Sequence, residues 1–195
     1  MFSVRIHGRG GQGVVTAAEL LSAAAFAEGL ESQAFPSFGS ERMGAPVVAF
    51  CRVNDQPIRV REPIVEPDAV VVQDPTLLHH VDVFGGLLAE GYVLINSRRT
   101  IDELGLEDLR HRHHPERLLS VPAGELARAH LGRPIPNVAL LGALAALTGL
   151  ISLGALERAI GARFTSPALE GNLAAARDAF TWRKRPGEVE ASAHA

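Results

Sequence analysis

Cysteine is almost missing from this 195-residue sequence, which contains Cys51 and no other. One thiol excludes an internal disulfide, a cysteine-rich zinc site and an iron–sulfur cluster ligated by this chain alone. Charge of one sign is also lacking: 19 basic residues stand against 22 acidic ones, a net charge of −3. The total carries no electrostatic footprint for a phosphate backbone or an anionic lipid surface, so nucleic acid is not an expected partner. No G-x-S-x-G elbow is present to activate a serine, which argues against nucleophilic hydrolysis. No Gly/Ser linker, internal repeat or low-complexity tract divides the chain. Residues 1–185 are therefore expected to form a single domain, followed by a small, polar, acidic tail over 186–195 that cannot bury enough apolar surface to fold. The opening Met1-Phe2-Ser3-Val4-Arg5-Ile6-His7 has neither the apolar core nor the small-residue cleavage site of a secretory signal, and the cytoplasm is the expected location. Residues 134–156 carry no charge, and that stretch is long enough to supply the ~20 residues needed to span a bilayer. Pro134, Pro136 and Asn137 suit a helix start, however, and Thr148-Gly149 followed by Ser152 reads as a stop and a new N-cap. Two shorter buried helices are expected there, and no membrane contact.

What the sequence does contain is an alternation of strand and helix signals. Residues 4–7 form a short strand candidate that runs into Gly8-Arg9-Gly10-Gly11-Gln12-Gly13 and then an alanine-rich helix over 14–28. Gly29 suits a C-terminal cap, and 31–35 reads as a second strand ending at Pro36, completing a βαβ unit. The β-prone runs 47–53 and 56–60 flank Asn54-Asp55, a pair suited to a two-residue hairpin turn. Residues 68–74 and 92–96 are continuous apolar runs of the kind buried on both faces of a parallel sheet. The polar segment 98–116 reads as a surface connection, and 123–131, 137–147, 153–163 and 167–184 read as helices, the last with Ser166 as N-cap and Pro167 at its first position. The fold class that follows is α/β: Rossmann-like and doubly wound, with a mainly parallel sheet, a β-hairpin insertion and a helical C-terminal part.

The glycine loop is the sharpest local signal. Gly8, Gly10 and Gly13 satisfy G-x-G-x-x-G, a pattern in which glycines let the backbone approach a ligand and the next helix offers unpaired N–H groups to an anion. A dinucleotide site also needs an acid near the end of the second strand for the ribose, and the nearest acid here, Glu31, lies at the start of that strand. The same glycines could instead serve only close strand-to-helix packing. Asp74 closes a predicted buried strand at the edge where ligands gather in such sheets, which makes it a candidate for polar contact. His79-His80 follows Asp74-Pro75-Thr76 and is expected to open a helix at the surface. His111, His113 and His114 cluster, but Arg110, Arg112 and Arg117 would repel a cation, and a solvated loop is expected. The segment 35–46 mixes Phe35 and Phe38 with glycines and the pair Glu41-Arg42 without helical or strand periodicity. Such ingredients in a loop suit a partner-contacting surface, or a rigid loop in which the pair satisfies itself.

These residues carry a family resemblance. The opening Arg5-Ile6-His7-Gly8-Arg9-Gly10-Gly11-Gln12-Gly13-Val14, the block from Pro36 through Ser37, Phe38, Gly39, Ser40, Glu41, Arg42, Met43, Gly44, Ala45 and Pro46 to Val47, and the later Pro134-Ile135-Pro136-Asn137-Val138-Ala139-Leu140-Leu141-Gly142-Ala143 resemble the gamma subunits of pyruvate (2-oxoacid):ferredoxin oxidoreductases. Leu169-Glu170-Gly171-Asn172-Leu173 with Ala174-Ala175-Ala176 is similar to that family's closing helix, so the likeness spans the chain to about Phe180. Met43 stands where arginine is common in the family, leaving Arg42 without a second cation beside it. The resemblance implies a multi-subunit enzyme that decarboxylates a 2-oxoacid on thiamine diphosphate with Mg2+, passes electrons through [4Fe-4S] clusters to ferredoxin and transfers the acyl group to coenzyme A. It implies that alpha, beta and delta-type subunits accompany this chain and that those cofactors are not held by it alone. By the same resemblance, Gly8, Arg9, Gly10, Gly11, Gln12 and Gly13 are carried over as cofactor-approach residues, and Phe38, Gly39, Ser40, Glu41, Arg42, Gly44 and Ala45 as interface residues. None is expected to be catalytic.

Overall fold

A computed structural model of the protein describes residues 1–37 and 43–182. Phe38, Gly39, Ser40, Glu41 and Arg42 from the interface expectation, and the tail expected from 186, lie outside the described residues. The chain runs β1 (Phe2–Arg9), α1 (Val14–Phe26), β2 (Glu31–Pro36), β3 (Pro46–Asn54), β4 (Ala69–Val72), β5 (Tyr92–Asn96), α2 (Glu107–Arg112), β6 (Leu118–Val121), α3 (Ala123–Leu131), α4 (Asn137–Thr148), α5 (Leu153–Arg163) and α6 (Ala168–Thr181), with a 3-10 turn over Pro75–His79. The strands form one sheet in the order β2-β3-β1-β4-β5-β6. The β1, β4, β5 and β6 strands run parallel to one another, whereas β3 lies antiparallel to both β1 and β2. This is the expected α/β architecture with a mainly parallel sheet and an antiparallel insertion.

The first βαβ unit departs from expectation. β2 does not pair with β1, because β3 slots between them. Burial explains the order: β3 is buried along nearly its whole length, with Val47, Ala49, Cys51 and Val53 in the core beneath the helices. β2 begins at an exposed Glu31 and buries none of its residues fully, so it takes the edge. The hairpin expected around Asn54-Asp55 is also corrected, since residues 56–60 form no strand and β3 finds its antiparallel partners in β2 and β1 instead.

α1, α4, α5 and α6 cover one sheet face and share the larger core with Val4, Ile6, Val71 and Leu94. α4 is buried almost all round, which is why its sequence lacks a polar stripe. No helix among the described residues is long and apolar enough to cross a membrane. The α4 stop lies at Gly149, which adopts φ 66° after Thr148, and Ser152 then caps α5 by accepting from the Ala155 N–H at 3.1 Å. For α6 the capping expectation fails: Pro167, not Ser166, stands at the N-cap, and no side chain bonds the first turn.

The opposite face carries a smaller core of Val70, Val72, Val93 and Ile95 under Leu77, Val83, Ile101 and Leu109. Residues 98–116 are therefore more than a surface connection, because Ile101 in the turn before α2 and Leu109 on α2 are buried against the sheet. β6, which follows, had no reading in the sequence. It is four residues long, and its middle residues are half-buried, too little alternation to register as a strand. His79 ends a 3-10 turn where a helix start was expected.

Candidate functional site

β1, β4 and β5 end together on one edge of the sheet, and the residues that follow them meet there. Gly8 and Arg9 complete β1, and residues 10–13 turn the chain into α1. The turn requires glycine in two places: Gly11 has φ 92° and Gly13 φ 71°. A side chain on Gly13 would also collide with the Asn137 amide, which donates to the Gly13 carbonyl at 3.3 Å. A side chain on Gly8 would come within 2.6 Å of Val14. Close packing is thus one real use of these glycines.

The loop is held open on its other side by charge and hydrogen bonding. Asp74, the residue singled out at the end of the β4 run, accepts from Arg9 Nε at 3.1 Å and Gln12 Nε2 at 2.9 Å through one oxygen. Its second oxygen accepts from the Thr76 N–H at 3.0 Å and the Thr76 hydroxyl at 2.6 Å. Burial alone would raise this carboxyl, but the Thr76 and Gln12 hydrogen bonds and the Arg9 charge together hold it below its ordinary range. Gln12 uses its other amide atom to accept from the Arg9 N–H at 2.8 Å. The Arg9 guanidinium then spans to the Gly44 carbonyl at 3.0 Å and the Thr76 hydroxyl at 2.8 Å.

The two segments singled out in the sequence therefore touch. Gly10 N–H donates to the Ala45 carbonyl at 2.9 Å, and Gly44 N–H donates back to Gly10 at 3.1 Å, an isolated bridge beside Gly10 and Met43. Met43 lies against Gly11 and is 87% exposed. Phe35 is not part of this loop. It belongs to β2, where its ring packs on Phe50 at 5.1 Å and lies beneath the Arg52 guanidinium.

α1 begins with no side-chain cap and no acid in its first turn. Its first N–H groups and the helix dipole consequently favour an anionic group at the mouth of the loop. α4 starts close by, where Asn137 bonds its own Val138 N–H at 2.8 Å while its amide holds Gly13. Among the described residues, no acid stands at the end of β2, where a dinucleotide ribose would need one. Glu31 starts β2 and therefore lies at the far end of that strand, and β2 is separated from β1 by β3.

Sequence reasoning missed Gln73. Its backbone joins β1 to β5, donating to the His7 carbonyl at 2.7 Å and accepting from Asn96 Nδ2 at 2.9 Å, while Asn96 Oδ1 accepts from the Gly124 N–H at 2.9 Å. Its side chain is 1% exposed, and neither amide atom has a partner among the described residues. The only sequence signal was a polar residue at the end of an apolar run. An unmatched buried amide costs on the order of 1–3 kcal/mol. Gln73→Met is therefore expected to raise the stability of the isolated chain by about 1 kcal/mol, read as a higher denaturation midpoint at unchanged slope. An unchanged or lower midpoint would mean that the amide is satisfied.

Other candidates separate. Among the described residues, no three of His, Cys, Asp and Glu converge in a metal-binding arrangement. His111 and His114 are exposed as expected, but His113 is buried, and desolvation lowers its pKa. Cys51 is buried in β3 with its thiol pushed up to about 12, which leaves it protonated and inert.

The segments that build this edge fall within one stretch of family similarity. The profile of the family described as pyruvate ferredoxin/flavodoxin oxidoreductase matches residues 3–182. The chain is 49% identical over 180 residues to the pyruvate/ketoisovalerate oxidoreductases common subunit gamma of Pyrococcus abyssi, covering 92% of this chain and 96% of that one. It is 46% identical over 187 residues to pyruvate synthase subunit PorC of Methanothermobacter marburgensis, covering 96% and 100%. The crystal structure of pyruvate oxidoreductase subunit PORC from Thermotoga maritima superposes with a TM-score of 0.76 at 35% identity, covering 92% of this chain and 94% of that one. With the glycine loop, the 43–45 bridge and the α4 start all inside the matched span, the chain belongs to the pyruvate ferredoxin/flavodoxin oxidoreductase family.

Proposed function

We propose that this chain is the gamma subunit of a 2-oxoacid:ferredoxin oxidoreductase, a complex that converts pyruvate or a related 2-oxoacid to acyl-CoA and CO2 while reducing ferredoxin. The carrying observation is similarity over whole chains: the relative named as a common gamma subunit aligns over 92% of this chain and 96% of its own length. The name of that relative covers both pyruvate and ketoisovalerate oxidoreductases. That breadth suits a subunit that does not itself select the substrate.

In this reading thiamine diphosphate, Mg2+ and [4Fe-4S] clusters belong to alpha, beta and delta-type partners. The chemistry of the described side chains supports that division, since the lone thiol is sealed in the core. The contribution of this chain is shape and contact surface. Residues 8–13 face an approaching anionic ligand such as coenzyme A, for which the uncapped start of α1 supplies dipole and N–H groups. Residues 38–45 form the contact with the neighbouring subunits. A stand-alone dinucleotide-binding oxidoreductase is the rival, and the position of Glu31 together with the intervening β3 counts against it.

Two measurements separate the readings. Affinity purification of the tagged chain from its host, followed by mass spectrometry of stoichiometric partners, is expected to return a thiamine-dependent enzyme. The isolated chain is expected to be inactive and not to bind NADH or NADPH at micromolar concentration. Micromolar nicotinamide binding, or partners that include no thiamine enzyme, would overturn the assignment.

A further inference from the structure

Gln73 is the side chain that the glycine-loop edge leaves unexplained. It is 1% exposed, and neither its amide nitrogen nor its amide oxygen has a hydrogen-bond partner among the described residues. The strand alternation fixes where it points. Val71 of β4 lies in the larger core and Val70 and Val72 in the smaller one, so Gln73 projects to the side of α1 and α4. Gly8 follows His7, the partner of Val72, and stands beside Gln73 on the neighbouring strand. A Cβ on Gly8 would lie 3.2 Å from Gln73 Cβ, 2.6 Å from Val14 Cγ2 and 3.1 Å from Gln12 Oε1. The bare Gly8 backbone thus leaves Gln73 next to the first residue of α1, with the half-exposed Gln12 carboxamide lying across the same spot.

The surroundings of this amide favour an anion. α1 runs 13 residues from Gly13 with no side-chain cap and no acid in its first turn, and α4 starts beside it without an acid either. Both dipoles place positive potential here, and the first N–H groups of α1 have no intrahelical acceptor. The neighbouring carboxamides are already engaged, Asn137 with Gly13 and Val138, and Gln12 with Arg9 and Asp74. Gln73 alone among these three brings both a donor and an acceptor uncommitted. A carboxylate, a sulfate or a phosphodiester only accepts, and would leave Gln73 Oε1 unmatched. A phosphate monoester has a second pKa of about 6, so its monoanion offers acceptor oxygens and one P–O–H donor together. The Asp74 carboxylate, one residue on, favours that monoanion over the dianion.

We infer that the start of α1 and the Gln73 amide together form a binding site for a phosphate monoester. The N–H groups of α1 donate to its charged oxygens, Gln73 Nε2 donates to another, and Gln73 Oε1 accepts from its hydroxyl. Entry is by displacement of the Gln12 carboxamide, which hydrogen bonds to Arg9 and Asp74 hold over Gly8. The energetic cost of burying an unmatched amide is then offset when the ligand arrives. Within the gamma-subunit reading, on which this choice of source rests, the monoester is the terminal phosphate of coenzyme A. Free phosphate presents the same chemistry.

The test separates the site from the source. On the isolated chain, saturating inorganic phosphate is expected to raise the melting temperature by about 4 °C. Sulfate at equal ionic strength has no proton to donate at neutral pH and should raise it much less. Gln73→Met should lose the phosphate response. Equal shifts from the two anions, no shift from phosphate, or a response that persists in Gln73→Met would overturn the site. In the intact complex, the KM for dephospho-coenzyme A, which lacks the monoester, should exceed that for coenzyme A by about tenfold, the worth of a hydrogen bond to a charged group. Gln73→Met should bring the two values together by raising the KM for coenzyme A, with kcat changing less. A difference that survives in Gln73→Met would count against Gln73 as the contact. If the phosphate shift depends on Gln73 but the complex does not distinguish the two coenzymes, the site stands with free phosphate as its ligand. If no thiamine enzyme is recovered with the chain, the subunit reading fails instead, and the melting experiment still decides the site.

Discussion

Gly142→Ala is expected to destabilise the protein by about 3 kcal/mol, the upper part of the range for overpacking a core, and to lower its melting temperature by roughly 10 °C. Gly142 lies in the middle of α4, where the added methyl would overlap the carbonyl oxygen, carbonyl carbon and Cα of Ala176 on α6. The obstacle is backbone, so no rotamer change relieves it, and one of two buried helices has to move. Ala175, Ala176 and Ala179 show that α6 is built for close approach along this line. The displacement would reach the glycine loop as well, because α4 begins at Asn137, whose amide holds the Gly13 carbonyl. Gly161 on α5 provides the control. Nothing lies within 4 Å of where its side chain would be, and Gly161→Ala should stabilise by about 0.5–1 kcal/mol through the lost entropy of the unfolded chain. Thermal melts of the two variants check both statements, and a Gly142→Ala protein that melts with the wild type would refute the first.

The second large effect is on pH dependence. His7 is 4% exposed on β1, one residue before the glycine loop. Burial and the neighbouring Arg5 charge push it down to about 4 from 6.5, against a smaller opposing pull from Asp82. Arg5 Nε donates to His7 Nε2 at 3.1 Å, which requires that nitrogen to be unprotonated. Arg5 also donates to the carbonyls of Val83 at 3.1 Å and Gly85 at 2.5 Å, so His7 shares in clamping the loop that leads from the 3-10 turn towards β5. In the window from pH 6.5 to pH 4 the unfolded chain binds a proton here that the folded chain does not. Stability is therefore full above pH 6.5, falls as the pH is lowered through that window, and levels off for this group below about 4. The shift corresponds to roughly 3 kcal/mol at about 1.4 kcal/mol per unit. His7→Gln keeps an acceptor for Arg5 and removes the titration. Denaturation midpoints at pH 7 and pH 4.5 should differ much less for this variant than for the wild type, and equal differences would refute the assignment.

These two positions also show where reading the sequence succeeds and stops. The glycine loop, α1 and the buried runs of β4 and β5 were legible because each rests on a local rule: glycine where φ must be positive, helical periodicity after it, unbroken apolar residues where both strand faces are covered. The α4 stop at Gly149 and the Ser152 cap were legible for the same reason. The hairpin placed after β3 was not, because Asn54-Asp55 satisfies turn chemistry without any β-partner waiting downstream. At the site, Asp74 was singled out from its position alone, but its partners Arg9, Gln12 and Thr76 were beyond prediction. The contacts to Arg9 and Gln12 cross more than sixty residues of chain, and nothing in a linear pattern scores them, whereas Thr76 is two residues away.

What the amino-acid order determined by itself was most of the helices, the buried strands β4 and β5, and the glycine turn. The tertiary structure alone decided that β3 separates β2 from β1, that Asp74 clamps the loop and that the buried Arg52 lies on the Phe35 ring. The physical reason is range: backbone conformation and periodic burial are set by near neighbours, whereas strand order and charge pairing are set by which distant surfaces compete best for the same buried place.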